Sequence, residues 1–409
     1  MKNAHRKFLS AATLAGITLL AGCGNANTIT FWNPLTGDDG AYMDALVAEY
    51  NETDPEFPVE SVITADMYTK IYTVMNAGKD IPDLTLSHAD RVPQFADLDM
   101  LEPVEGLMAT NTDLTADNYL EVAWNAGNYE GTQYTVPLDI HGNAMYYNTD
   151  LLDKYDANTF LDDDVVTIEE ILSLDGKLDE GQYAINNALI EWVALANVVN
   201  VGGDISDEAG NPTINTDAMK TVVEQLKSVA DAGLMSPYGE DGYAMFQSGD
   251  VLFSTDGTWT STAHGSVEGL NFGVTNIYSV TPDKFTNRSS AHLFSLLNNE
   301  DRTDEKEQGV ADFLSWMREN SIDWAGAGQI VASKEVFESE EYQQYPQSFF
   351  TSSDVEKEAS YIFDYKYYSY VESALATVLS DMIYGNITID EGLDQAQKTV
   401  EDLIAENAS

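Results

Sequence analysis

Strand-like and helix-like segments alternate along the chain, and this alternation limits the possible folds more than any other feature. TITFWNP (28–34) alternates as a strand does, AYMDALVAEYNE (41–52) has apolar residues at helical spacing, and IPDLTLSH (81–88) is again strand-like. A β–α–β order of this kind joins parallel strands through helical crossovers. The sequence therefore predicts an α/β fold with a parallel sheet.

The same pattern returns in the second half of the chain. Residues 216–233 and 305–320 are predicted helices, VLFSTDG (251–257) is a predicted strand, and 388–408 is a predicted capped amphipathic helix. A chain of 409 residues exceeds the usual size of one hydrophobic core. We therefore expect about two domains.

The N-terminus carries an export signal that accounts for the single cysteine. Lys2, Arg6 and Lys7 precede an uncharged, mostly apolar run of 13 residues from Phe8 to Leu20, which is too short to span a bilayer comfortably. Leu20-Ala21-Gly22-Cys23 resembles the lipobox of bacterial lipoproteins. The resemblance implies a signal peptide over 1–22, lipid on Cys23, a tether over 23–27, and a protein at the extracellular face of the cell membrane. An ordinary secretory peptide with a stray cysteine is the alternative.

Charge and cysteine content exclude several classes of protein. The chain has 69 acidic and 19 basic residues and a net charge of −50, so nucleic acid and anionic membrane surfaces repel it. The acidic residues are spread along the chain, as on a solvated surface. A lone cysteine cannot form a disulfide within the chain.

Motifs for catalysis are absent from the sequence. It has no phosphate loop, complete dinucleotide fingerprint, zinc-protease motif or nucleophile elbow, and its five histidines lack metal-ligand spacing. We therefore predict no metal, no cofactor and no enzymatic activity. A surface glycoside-active enzyme remains the alternative, because 69 carboxylates always allow a pair that sequence cannot identify.

An ordered set of segments resembles the family 1 extracellular solute-binding proteins of sugar ABC importers, the maltose-binding-protein-like group. The segments, in order, are ITFWNPLTGDDGAYMDALVAEYNE, IPDLTLSHADRVPQFADLDMLEPV, YTVPLDIHGNAMYYNTDLL, NVGGDISDEAGNPTINTDAMKTVVEQLKSVADAGL, STDGTW, WAGAGQIVASKEVF and TIDEGLDQAQKTVEDL. The likeness extends over nearly the whole chain after the signal peptide.

This resemblance implies a two-lobed α/β fold, each lobe a central β-sheet flanked by helices. One lobe would hold 28–143 plus 288–336, the other 144–287 plus 337–409, with the ligand cleft between them. The hinge would have several strands, near PLDIHGN (137–143), Thr281–Arg288 and residues 336–345. We expect a monomer that closes on an oligosaccharide and delivers it to ABC importer permease subunits.

The residue types needed to bind a sugar occur at positions that match the family. A sugar presents hydroxyls around its ring and apolar C–H patches on its faces, which suit carboxylates, amides, arginine and flat aromatic rings. Asp90 and Arg91 match the family pair that binds hydroxyls, and Trp259 matches a stacking tryptophan. The other candidates are Asn33, Asp38, Asp39, Tyr68, Asp139, His141, Asn187, Trp192, His292, Gln329, Tyr365 and Glu372.

Structural roles are alternatives for several of these candidates. Asp38 or Asp39 can cap the first helix, His141 can be a buried structural histidine, and most tyrosines of 361–373 can pack a core. Glu372 stands where the maltose-binding members have a stacking tryptophan, which argues against maltose as the ligand. Trp124, Trp316 and Trp324 are predicted core residues.

A non-sugar ligand is the remaining alternative. An acidic cleft favours a polyamine, and a peptide is also possible. An organophosphate needs more basic residues than Arg91 alone supplies.

Overall fold

The structure is a computed structural model and describes residues 27–282, 285–352 and 360–407. The signal peptide and Cys23 lie outside these residues. The strands are β1 (Ile29–Asn33), β2 (Val59–Ile63), β3 (Leu84–His88), β4 (Leu101–Glu102), β5 (Asn128–Tyr129), β6 (Thr132–Gln133), β7 (Thr135–Pro137), β8 (Asp139–Asn148), β9 (Tyr183–Ile185), β10 (Val251–Gly257), β11 (Phe272–Thr275), β12 (Asn287–Ser290), β13 (His292–Leu297), β14 (Ile330–Val331) and β15 (Ser360–Tyr361).

Helices connect most of these strands. They are α1 (Asp38–Glu52), α2 (Met67–Ala77), α3 (Val92–Asp97), α4 (Glu105–Thr110), α5 (Glu121–Asn125), α6 (Thr149–Lys154), α7 (Ile168–Leu172), α8 (Ile190–Asn200), α9 (Asp217–Asp231), α10 (Gly242–Gln247), α11 (Ser261–Gly265), α12 (Asp304–Asn320), α13 (Ile322–Ala325), α14 (Lys334–Phe337), α15 (Phe349–Ser352), α16 (Tyr368–Ile383) and α17 (Ile389–Asn407). No helix in the described ranges combines the length and the apolar content that crossing a membrane requires.

The first sheet has the strand order β2-β1-β3-β13-β4, and β7 also pairs with β13. Strand β1 is parallel to β2 and β3, as the β–α–β pattern predicts. Strand β13 is antiparallel to β3, β4 and β7, so the prediction of a parallel sheet is wrong for this part and the sheet is mixed. The reason is long-range pairing: β13 returns from far along the chain and places His292 opposite His88.

The second sheet is built around the long strand β8. Its strand order is β15-β12-β8-β10-β9, and β11 and β14 also pair with β8. Along β8, Asp139 and Ile140 pair with β14, His141 and Gly142 with β12, and the following residues with β10. Strand β8 begins two residues after β7 of the first sheet ends, so the chain passes directly from one sheet to the other.

Each sheet is covered on both faces, because successive side chains of a strand point to opposite sides. In β13, Phe294 packs with Phe31 and Phe313 on one face, whereas Leu293 packs with Phe95 on the other. The second sheet also has two cores. The larger lies against α8, α9, α16 and α17, and the smaller includes Ala144, Tyr146 and Phe246.

The ends of several helices follow from local residues. The Thr388 hydroxyl accepts the Glu391 backbone N–H, and Glu391 accepts the Thr388 backbone N–H, forming a capping box that confirms the predicted start of the last helix. Helix α2 ends at Gly78, which adopts the left-handed conformation with φ 61°. The first helix begins at Asp38, so Asp38 and Asp39 lie in its first turn rather than in a cap. The negative charge of Asp39 suits the positive end of the helix.

Candidate functional site

Two adjoining cavities lie between the two sheets, and side chains from both sheets line them. The first has a volume of about 400 Å³ and is lined by Asp39, Tyr68, His88, Asp90, Arg91, His141, Trp192, Trp259, Arg288, Ser290, His292, Gln329, Ser369, Glu372 and Ser373. The second, about 630 Å³, shares four of these residues: Asp39, His88, Trp259 and His292. We call the two cavities together the cleft. The volume of each cavity falls in the usual range of ligand sites.

The cleft forms where strands of the two sheets end or cross. His88 is the last residue of β3 and His292 the first of β13, while His141 belongs to β8. Asp90 and Arg91 follow β3 directly in a short 3-10 helix. Ligand sites of α/β proteins commonly lie at such strand ends.

Ten of the fifteen residues predicted from sequence line the first cavity. They are Asp39, Tyr68, Asp90, Arg91, His141, Trp192, Trp259, His292, Gln329 and Glu372. The side chain of Asp38 lies outside what the structure describes.

Four predicted residues do not line the cleft. Asn33 is fully buried and holds the turn after β1, because its amide donates to Ser61 Oγ and its carbonyl accepts the Leu35 N–H. Asn187 accepts a hydrogen bond from Ser236 Oγ instead. Tyr365 packs in the larger core of the second sheet, where burial raises its pKa to about 12. Asp139 lies beneath the cleft and is fully buried.

Sequence reasoning missed five lining residues: His88, Arg288, Ser290, Ser369 and Ser373. His88 stands two residues before Asp90 at the end of a predicted strand, which was a usable signal. Arg288 was named only as the end of a predicted hinge segment. Ser369 and Ser373 lie on the same helix as Glu372, three residues before it and one after it.

One wall of the cleft carries Asp90, Arg91 and Tyr68. Arg91 Nε lies 3.2 Å from an Asp90 carboxylate oxygen, and the guanidinium carbon lies 4.5 Å from the centre of the Tyr68 ring. Burial raises the pKa of Asp90, and the charge of Arg91 opposes that rise. The side chains of Arg91 and Asp90 keep 26% and 15% of their surface exposed, so both can reach a ligand.

The opposite wall holds Arg288 between an aromatic ring and a carboxylate. Its guanidinium carbon lies 3.6 Å from the centre of the Trp192 ring, and its Nη2 donates to Glu372 over 3.1 Å. Glu372 also accepts from Trp192 Nε1 at 2.9 Å, and Arg288 Nε donates to the Tyr368 hydroxyl. One face of Trp192 is therefore covered by Arg288, and that face cannot stack on a ligand.

Trp259 is positioned by a close approach to the backbone. A Cβ at Gly257 would come within 2.2 Å of the Trp259 ring, so the ring lies directly over the glycine. Gly328, with φ 83°, approaches Trp259 Cα so closely that a Cβ there would lie 2.7 Å away. Trp192 and His141 meet the ring edge-on, with ring centres 5.7 and 6.0 Å apart from it. These contacts hold an aromatic ring at the cavity surface.

The floor of the cleft is organised by Asp139. Its carboxylate accepts hydrogen bonds from His292 Nδ1 at 2.8 Å, the His292 backbone N–H at 3.0 Å and Trp324 Nε1 at 2.7 Å. His141 Nδ1 lies 3.2 Å from its other side. The prediction that Trp324 is a core residue is confirmed, since it is fully buried.

Charge is distributed unevenly among the three histidines at the floor. Burial acts to raise the pKa of Asp139, but the charge and hydrogen bonds of His292 and His141 outweigh it and hold this pKa well below its usual range. Burial lowers the pKa of His292, and the Asp139 carboxylate raises it by more. Burial and the charge of His292 lower the pKa of His141 to about 4, and the same two causes lower that of His88. His141 and His88 are therefore neutral near pH 7.

Three of the five histidines meet at this floor although their sequence spacing suggests no metal site. His88, His141 and His292 each place a ring nitrogen within 4.8 Å of the others. The expectation of no metal ligands rested on spacing along the chain, and long-range strand pairing overrides that spacing.

Another cavity, of about 740 Å³, is larger than either cavity of the cleft but chemically different. Its lining is mostly apolar, with Leu120, Ile330 and Phe350 among the contributing side chains. A site that distinguishes polar ligands needs placed polar groups, and the cleft has these in paired form. The cleft is therefore the candidate functional site.

The chain resembles proteins of one functional type. The family profile described as bacterial extracellular solute-binding protein matches residues 45–351. An arabinooligosaccharide-binding protein of Halalkalibacterium halodurans is 22% identical over 258 residues, covering 57% of this chain and 54% of that protein. The match thus spans about half the length of this curated relative.

Solved structures with the same fold cover nearly the whole chain. An ABC substrate-binding protein from Listeria monocytogenes in complex with cycloalternan has a TM-score of 0.77 at 17% identity, covering 92% of this chain and 99% of that one. The cyclic alpha-maltosyl-1,6-maltose binding protein from Arthrobacter globiformis has a TM-score of 0.74 at 19% identity, covering 92% and 98%. These likenesses confirm the predicted α/β fold of the two-lobed binding proteins. Because the family profile matches most of its length, the chain belongs to the bacterial extracellular solute-binding proteins.

Proposed function

We propose that this chain is the oligosaccharide-binding component of a bacterial ABC importer. It captures a neutral oligosaccharide in the cleft and passes it unchanged to permease subunits in the membrane. The observation that carries this proposal is one cavity that combines a fixed aromatic ring, Trp259, with two arginine–carboxylate pairs.

The cleft matches both surfaces of a sugar. Trp259 offers an aromatic surface to the C–H patches of a ring. Asp90 and Glu372 accept hydrogen bonds from the hydroxyls of the sugar. Arg91 donates hydrogen bonds to the oxygen atoms of those hydroxyls. Because each arginine is held by its carboxylate partner, these groups are oriented before the ligand arrives, which lowers the entropic cost of binding.

The charges in the cleft favour a neutral ligand over a polyamine or a phosphate. Arg91 pairs with Asp90 and Arg288 with Glu372, which leaves Asp39 as the remaining carboxylate of the first cavity. A polyamine would need several unpaired carboxylates. A phosphate would need arginines that do not already have a carboxylate partner.

The carboxylates of the cleft suit binding rather than bond cleavage. A glycosidase needs one protonated and one ionised carboxyl flanking the bond. Glu372 already accepts hydrogen bonds from Arg288 and Trp192, which hold it in place against the wall of the cleft. The proteins that share this family and fold are binding proteins, and we propose that this chain has no catalytic activity.

We propose that the chain forms two lobes, each with one of the two sheets at its centre. We assign 28–143 plus 288–336 to one lobe and 144–287 plus 337–409 to the other. The chain passes between sheets at Pro137–Asp139 and again at Ser290–His292. A monomer with these crossings would close as two rigid bodies about a hinge when a ligand contacts both walls.

Binding without cleavage is the first expected result. Calorimetric titration of the purified protein with neutral oligosaccharides should show saturable binding of one ligand per chain, and chromatography afterwards should recover the sugar intact. A shortened sugar would establish the enzyme alternative. Binding of polyamines or peptides but of no sugar would contradict the proposed ligand class.

Trp259→Ala should weaken sugar binding about 10- to 100-fold, because it removes a stacking surface worth roughly 1.5–3 kcal/mol. The matched control is Trp316→Ala. Trp316 packs against Tyr50 with ring centres 5.6 Å apart, outside the cleft, and its loss should leave the affinity unchanged. Equal affinities for the two variants in the same titration would exclude Trp259 from the site.

Lipid anchoring at Cys23 predicts that the protein fractionates with membranes. Cys23→Ser removes the sulfur that accepts the lipid and should move the protein to the soluble fraction, as measured by immunoblotting of fractionated cells. Asn25→Ala keeps the thiol and serves as the control, which should stay with the membrane. A Cys23→Ser protein that remains in the membrane fraction would rule out this anchor.

A further inference from the structure

We propose that His88, His141 and His292 bind a Zn²⁺ ion, with one coordination position open to the cleft. This site goes beyond the proposed sugar binding and does not depend on it. The three histidines come from β3, β8 and β13, and their ring centres lie 4.3 to 5.6 Å apart. One ring nitrogen of each lies within 4.8 Å of the other two.

The hydrogen bonds of the three rings leave the same nitrogen available on each. Asp139 bonds Nδ1 of both His141 and His292, and the Tyr68 hydroxyl bonds Nδ1 of His88. Nε2 is therefore the atom that each ring can offer to an ion. When Nε2 binds a metal, Nδ1 must carry the proton, so His88 would donate to the Tyr68 oxygen in the metal-bound state.

Asp139 has the surroundings of a carboxylate that orients metal ligands. In histidines that bind metals, the N–H of the other ring nitrogen usually donates a hydrogen bond to a carboxylate. This bond fixes the tautomer and the direction of the ring. Asp139 is fully buried, and the Trp324 indole and the His292 backbone N–H hold it in place. One immobile carboxylate thus orients two of the three rings.

The ligand set selects the ion. Three imidazoles suit Zn²⁺ and its transition-metal neighbours, whereas Mg²⁺ and Ca²⁺ prefer oxygen ligands. A Zn–N distance of about 2.1 Å in a tetrahedral site needs ligand nitrogens roughly 3.4 Å apart. The ring nitrogens, which lie within 4.8 Å of one another, would have to come closer together on binding to reach that separation.

The fourth coordination position faces the ligand space. His88 and His292 line both cavities of the cleft, and His141 lines the first. Three protein ligands with a fourth position open to water or to a ligand oxygen is the arrangement of zinc sites that are not purely structural. A bound sugar hydroxyl can take the place of that water.

The test is Zn²⁺ titration of the purified protein after removal of metals with a chelator. Because the protein is highly acidic, excess Mg²⁺ should be present to occupy surface carboxylates. We expect one saturable Zn²⁺ site per chain that Mg²⁺ does not displace. Co²⁺ in its place should give the visible absorption of a four-coordinate ion.

Variants locate the ion. His88→Gln and His292→Gln should each weaken Zn²⁺ binding by at least about tenfold, since even the loss of an outer-shell partner has an effect of that size. His264→Gln is the matched control, because His264 is buried among Tyr146 and Phe246 away from the cluster, and its Zn²⁺ affinity should equal that of the unaltered protein. If the His292→Gln protein unfolds, the His88→Gln protein still tests the site, because the His88 ring makes no hydrogen bond to Asp139.

Absence of a stoichiometric Zn²⁺ site, or Zn²⁺ binding that both cluster variants retain in full, would overturn the proposal. Sugar titration with a chelator present separates this result from the proposed function. Zn²⁺ binding without any sugar binding would contradict the proposed function and leave the metal site standing. Sugar binding without a Zn²⁺ site would overturn the metal site and leave the proposed function standing.

Discussion

The buried carboxylate of Asp139 is the interaction on which the rest of the cleft depends. It lies at the start of β8, where the chain leaves the first sheet, and it accepts hydrogen bonds from the Nδ1 and backbone N–H of His292 and from Trp324. One ionised group thereby joins β8, β13 and α13. A buried charge is tolerated only when several donors surround it, so these donors and Asp139 require one another.

Each wall of the cleft, like the floor, holds a charged side chain beside its partner before a ligand arrives. Arg91 is held by Asp90 and Arg288 by Glu372. Trp259 adds an apolar surface that exists only because Gly257 has no side chain. A ligand that touched both pairs would connect the two lobes we propose, which is how a two-lobed receptor can convert binding energy into closure.

Local sequence patterns predicted the helices and strands well, whereas the sequence did not predict the contacts between distant segments. Strand β10 occupies the predicted residues 251–257, and the last helix begins at its predicted cap because Thr388 and Glu391 are close in sequence. Asp90 and Arg91, which the family resemblance named, line the first cavity because they directly follow the end of β3. The antiparallel pairing of β13 and the meeting of His88 with His292 depend on segments that only the fold brings together. Asn33 does not line the cleft because its amide closes a local backbone turn, a role that the residue type does not reveal.

The most direct test of the central claim is a crystal structure of the protein with an oligosaccharide that binds it in solution. We predict a sugar ring stacked on Trp259, with hydroxyls in hydrogen-bond distance of Asp90 and Arg91. Electron density for the sugar in the apolar cavity near Leu120 and Phe350, with the cleft filled by water, would contradict the assignment of the cleft as the binding site.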